Sequence, residues 1–253
     1  MAIPTEILDA ILEEVPLNER GRRTLAACAL VAPWWTGPSQ RRLFSSVEIH
    51  GDNYKRWMNG AVLPGSEARP LEYVRSLWHD YGLDVTTKYR MRDLAQHSGR
   101  YLPALRNLRR LRFSNIVIEH INEESFRVCF SAFRETLTCL FLDIFTTSFS
   151  AFVTLVDYFP NLTNLRLHRF QLEPEEGPAP SLSRPFRGKL HVHAQAGSLE
   201  LLNQLAKLNP QYEELEIDHS FAITLHTPFL EAALQINPGT VKILRLTTDL
   251  FGE

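Results

Sequence analysis

Ile7, Leu8, Ile11, Leu12 and Val15 recur at i, i+1, i+4, i+5 and i+8, the spacing of one apolar face on a helix. Glu6, Asp9, Glu13 and Glu14 fall mostly on the other side, and Glu6 and Asp9 suit the positive end of a helix dipole. Thr5 is the expected cap and Pro16 the expected stop. The polar residues 18–23 read as a connection, followed by a second short helix over 24–32 that uses Leu25, Cys28, Ala29 and Ala32. Pro33 permits a third helix to begin, since its missing N–H costs nothing in a first turn. Trp34, Trp35, Leu43 and Phe44 make that piece strongly apolar. Three short helices in about 45 residues cannot bury so much apolar surface among themselves, so the segment needs a second surface.

Beyond residue 44 the pattern changes to apolar-x-x-apolar-x-apolar. It occurs at Phe44, Val47 and Ile49, at Leu108, Leu111 and Phe113, at Leu137, Leu140 and Leu142, and at Leu162, Leu165 and Leu167. It returns at Tyr212, Leu215 and Ile217 and at Val241, Leu244 and Leu246. Two copies are imperfect: Val74 and Leu77 are followed by His79, and Leu190 and Val192 are preceded by Arg187. The central residues Val47, Leu77, Leu111, Leu140, Leu165, Leu190, Leu215 and Leu244 are separated by 30, 34, 29, 25, 25, 25 and 29 residues. Helical patterns lie between them at 89–98, 122–134, 148–159, 198–208 and 228–236, and residues 171–189, with four prolines, read as an irregular convex-side loop. Each strand with its helix is one unit, whose apolar face is buried by stacking on the next. The fold class expected is α/β, an open solenoid of parallel strands and helices. A closed α/β barrel would need strands apolar on both faces, and these alternate.

Alternation assigns the residues between the inward positions to the concave side. One row reads Glu48, Trp78, Arg112, Phe141, Arg166, His191, Glu216 and Arg245; the next reads His50, Asp80, Ser114, Asp143, His168, His193, Asp218 and Thr247. Trp78, Arg112, Phe141, Arg166, His191 and Glu216 are the expected target-binding residues, with Arg112, Phe141 and Arg166 at the centre, because aromatics beside arginines compose interface hot spots. His168, His193 and Asp218 on consecutive strands offer two imidazoles and a carboxylate to a metal, an alternative reading as a metal-dependent enzyme.

The two parts carry family resemblances. Ile3-Pro4 with Glu6, Ile7, Leu8, Ile11 and Leu12, then Leu25, Cys28, Leu30, Val31 and Trp35, then Leu43-Phe44, resembles an F-box, with Ile-Pro for the usual Leu-Pro and Val31-Ala32-Pro33-Trp34-Trp35 for the usual Val-Cys-Arg-x-Trp. The strand motifs, at intervals mostly near those of leucine-rich repeats, resemble the divergent arrays that follow F-boxes in many fungal proteins. The resemblance implies residues 1–46 as adaptor-binding helices and 47–253 as a leucine-rich-repeat-like, substrate-recognising solenoid. It implies a non-catalytic substrate-receptor subunit of a ubiquitin ligase: a Skp-type adaptor and through it a cullin–RING ligase on one side, an unknown target protein on the other. Ile3, Pro4, Ile7, Leu8, Ile11, Leu12, Leu25, Cys28, Val31, Trp35, Leu43 and Phe44 would hold the adaptor. A solenoid interaction module working outside any ligase is the other reading.

Composition narrows the remaining classes. With 27 Lys+Arg against 29 Asp+Glu the net charge is -2, which gives no global field for nucleic acid, and the arginines at 106, 109, 110 and 112 read as a solvated run. Asp143 and Asp157 interrupt the most apolar stretch, so no membrane span is expected. Three cysteines without metal-ligand spacing, and no basic leader, suit an intracellular protein, cytoplasmic or nuclear. Nucleophile, phosphate-loop and dinucleotide motifs are missing from the sequence, and no cofactor is expected. The last motif stands seven residues from the end, so the array is expected to be truncated and poorly soluble alone.

Overall fold

The computed structural model describes residues 3–50, 70–80, 89–90, 101–118, 123–173, 181–194, 198–207, 211–219 and 241–248. Three helices come first: α1 (Thr5–Glu13), α2 (Glu19–Val31) and α3 (Pro33–Leu43). Two local expectations change. Pro4, not Thr5, stands at the cap of α1 and makes no side-chain bond there. Most of residues 18–23 form the first turn of α2 rather than a connection, because the Asn18 side chain accepts from the Gly21 amide at 2.9 Å. Gly21 itself is required by crowding, since a Cβ there would lie 1.8 Å from the Pro16 carbonyl oxygen. Arg22 donates to the Ser46 carbonyl and Arg42 to those of Glu13 and Val15, binding the helices to one another and to the first strand.

The remainder is one parallel sheet with helices between its strands. The strands are β1 (Ser46–Ile49), β2 (Ser76–Asp80), β3 (Tyr89–Arg90), β4 (Arg110–Ile118), β5 (Cys139–Ser148), β6 (Asn164–Glu173), β7 (Arg187–Ala194), β8 (Gln211–His219) and β9 (Ile243–Thr248). Their order is β1-β2-β4-β5-β6-β7-β8-β9, with β3 pairing the later half of β4. Among the described residues the path is linear, with β1 and β9 at opposite ends of an open sheet. Between strands lie α4 (Pro70–Tyr73), α5 (Glu123–Phe130), α6 (Phe149–Tyr158) and α7 (Ser198–Lys207). The Ser148 hydroxyl caps α6 by accepting from the Ala151 amide. The helix expected at 89–98 is replaced at its start by β3, β6 and β7 take the two ends of the loop expected at 171–189, and 228–236 lies outside the described residues.

Repeat period and register agree residue by residue. Val47, Leu77, Leu111, Leu140, Leu165, Leu190, Leu215 and Leu244 are successive Cα partners. All but Leu244, on the last strand, are buried. The imperfect copies have physical substitutes. His79 takes the third inward position, buried and stacked on Tyr101 with centroids 6.1 Å apart. Phe186 rather than Arg187 is buried before β7, and the register shifts between Gly188 and Lys189. Asn115, Ile144 and Arg169 have φ of 62°, 48° and 48° at one level of β4, β5 and β6. Each interrupts the ladder for one residue and returns Ile116, Phe145 and Phe170 to the core in register. Phe145 stacks on Phe170 at 5.7 Å, and Phe130, Phe133 and Phe159 pack from the helical side.

Gly188 has φ +126°, and a Cβ there would lie 2.2 Å from the Thr163 carbonyl oxygen. Gly188→Ala and Gly21→Ala are each expected to lose more than about 1 kcal/mol of stability, since the native backbone is closed to a side chain at both positions. Denaturant midpoints below wild type would show it; unchanged midpoints would place the chain differently at both sites.

Candidate functional site

The rows expected on the concave side are built by the strand register. Glu48, Trp78, Arg112, Phe141, Arg166, His191, Glu216 and Arg245 are partners across eight strands, and Asp80, Ser114, Asp143, His168, His193, Asp218 and Thr247 form the next row. The six expected target-binding residues therefore stand side by side. Their side chains are not equally free. The Arg112 guanidinium lies 3.9 Å from the Trp78 ring centroid and 4.3 Å from that of Phe141, a cation held between two π faces. Trp78 donates to the Ser114 hydroxyl at 3.4 Å.

Asp143 is the hub of this cluster. Its carboxylate accepts from Arg112 at 2.8 Å and Arg169 at 2.9 Å, and lies 2.6 Å from His168 Nδ1. The Asp143 side chain is 5% exposed against 29% for Arg112. Burial pushes the Asp143 carboxyl up, but the bonds from Arg112, His168 and Arg169 together hold it below its ordinary value. Arg112 is thus part of a half-buried ion-pair network around Asp143 and stabilises the face more than it presents charge. Reversing the Arg112 charge would set a carboxylate facing Asp143 between two rings. Arg169 was not expected at this site; the positive φ at Arg169 interrupts strand alternation, which an alternation rule does not anticipate.

His168 and His193 lie with ring centroids 4.2 Å apart, and His168 Nδ1 is engaged by Asp143. The Asp218 side chain lies outside the described residues, and among the described residues no group of three His, Cys, Asp or Glu is placed to hold a metal. His191 faces Glu216 at 3.7 Å. Cys28, Cys129 and Cys139 are free thiols. No helix among the described residues is long and apolar enough to cross a membrane.

In the helical segment the twelve expected adaptor-binding residues divide. Leu8, Leu12 and Leu25 are buried within the chain. Cys28, Trp35, Leu43 and Phe44 are half-buried, and Pro4 is exposed. Ile3, Ile7, Ile11 and Val31 are exposed, joined by Leu30 and Trp34, and the six span 44% to 87% exposure. Ile7 and Ile11, four residues apart, lie on one line along α1, and Ile3 stands in the segment just before it. Leu30, Val31 and Trp34 cluster at the junction of α2 and α3. Leu30 and Trp34 were not among the expected contacts. Asp9 pairs with Arg41 at 2.9 Å beside a polar cleft of about 440 Å³ where α1 and α3 meet the strand starts, away from the concave rows.

No protein-family model matches the chain, and no curated protein matches it significantly.

Proposed function

We propose that the chain is a substrate-receptor subunit of a Skp–cullin–F-box ubiquitin ligase, with residues 1–46 as an F-box and residues 47–253 as a leucine-rich-repeat-like target-binding solenoid. The observation that supports it most is the set of large apolar side chains left on the outside of three short helices. Single exposed apolar residues are ordinary, but six on one small segment, two groups of three, mark a surface for a partner. Their positions fall within or beside the F-box-like motif blocks, so a Skp-type adaptor is the partner of choice. Ile7, Ile11, Leu30, Val31 and Trp34 insert into it, while Leu8, Leu12 and Leu25 hold the helices together beneath them.

The parallel sheet supplies the other face. Its rows of aromatic, basic and acidic side chains offer one surface on which a target is oriented. The receptor then works by proximity: it raises the local concentration of target near the conjugating enzyme and makes no bond itself. Affinity purification of the tagged full chain from its native cells tests this. Recovery of a Skp-type adaptor with a cullin is the expected result. Recovery of neither, with the solenoid folded and other proteins bound, would favour an interaction module outside any ligase.

A further inference from the structure

The charges on the concave face do not cancel evenly. Asp143 is held by Arg112, Arg169 and His168. Glu214 is held by Lys189 at 2.5 Å and Arg245 at 2.8 Å, and Glu216 has His191 at 3.7 Å. Each of these carboxylates has its own basic partner. Arg110 and Arg166 differ: both are exposed, and neither has a carboxylate partner among the described residues. Among the described residues the one polar contact of the Arg166 side chain is a long one to Asn164 Oδ1 at 3.5 Å.

These two arginines flank one point of the sheet. Arg110 is the register partner of Cys139, whose partner on the far side is Asn164, and Arg166 lies two residues beyond Asn164. Burial raises the Cys139 thiol, and Arg166 and Arg110 both pull it back, so both guanidinium charges act on the same spot. Two strand spacings and a two-residue offset place their Cα atoms about 12 Å apart. Between them stand Cys139, Phe141 and Asn164, which carry no charge.

We propose that Arg110 and Arg166 clamp an acidic peptide segment of the target, each guanidinium taking one Asp or Glu carboxylate two to four residues apart in an extended chain. Arginine suits this because its fork meets a carboxylate with two parallel hydrogen bonds. Phe141 lies between the two and packs against the peptide backbone. Two free arginines on a chain of net charge -2 make too small a footprint for nucleic acid. The assignment rests on the concave face being the target surface and is independent of adaptor docking.

The test is fluorescence anisotropy of a fluorescein-labelled decapeptide with Glu at alternate positions, titrated with the full chain at low ionic strength. A peptide with Gln in place of Glu is the control. The Glu peptide is expected to bind, and Arg110→Glu/Arg166→Glu to weaken it at least tenfold, whereas Arg106→Glu/Arg109→Glu changes it less than twofold. Adaptor capture by the same variants, read in parallel, stays at the wild-type level, so failure of the clamp is distinguishable from failure of the adaptor reading. Should the double reversal also melt early, Arg110→Gln/Arg166→Gln decides. No binding by the wild-type chain, equal binding of the Gln peptide, or undiminished binding by the variants would overturn the clamp. Displacement of the peptide by an oligothymidine at equal concentration would overturn it in favour of nucleic acid.

Discussion

Ile7→Glu combined with Val31→Glu is expected to weaken adaptor capture by more than about 100-fold while leaving the melting temperature within a few degrees of wild type. Both residues are more than half exposed, so the free chain tolerates a charge at each. In a complex the same carboxylates would be buried without partners, and truncating an interface hot spot alone costs about 2 kcal/mol or more. Two such positions give the expected factor. Leu8→Ala and Leu12→Ala should behave in the opposite way. Both side chains lie in the chain's interior, and each truncation should cost about 2–5 kcal/mol of stability. Adaptor pull-down beside thermal melting separates the two classes. Wild-type capture by the Ile7→Glu/Val31→Glu chain would show that the exposed apolar groups do not carry docking.

Asp143→Ala is expected to destabilise the sheet by about 2–3 kcal/mol, because it leaves Arg112 and Arg169 without their shared carboxylate beside a packed core. The partial exposure of both arginines keeps the loss at the lower end. The pH dependence has a definite sign. The folded Asp143 carboxyl is held below its ordinary value, so its contribution is fully present above the unfolded value of about 3.9. It is lost as pH falls through the folded value. Denaturant midpoints of wild type and Asp143→Asn should therefore differ at pH 6 and converge toward pH 2. A difference that is constant with pH would mean that ionisation of Asp143 does not stabilise the fold.

The strand array was readable because one leucine-like position recurs at intervals that the backbone must honour. Leu111, Leu140, Leu165 and Leu190 align in the sheet as they align in the repeat. The same pattern placed Trp78, Arg112, Phe141 and Arg166 in one row. It did not show that Arg112 would be spent between two rings and on Asp143, since alternation gives the side of a strand and not the partner of a side chain. It also missed the kinks at Asn115, Ile144 and Arg169, where a positive φ breaks the two-residue period. In the helices, periodicity drew Ile7, Leu8, Ile11 and Leu12 as one face. Packing splits that face into Leu8 and Leu12 inside and Ile7 and Ile11 outside, a division set by what α3 covers and not by spacing. The start of α2 was missed, because the charged residues after Asn18 resembled a connection although the Asn18 side chain caps the helix.

On the proposed function, the outside of these three helices is an adaptor-docking surface. Hydrogen exchange of the purified full chain, alone and with an equimolar purified Skp-type adaptor, tests it most directly. A one-to-one complex is expected, in which amides of α1 and of the α2–α3 junction slow on mixing while those of β4–β8 do not change. Unaltered exchange across residues 3–43 at micromolar concentrations, with the helices folded, would contradict it.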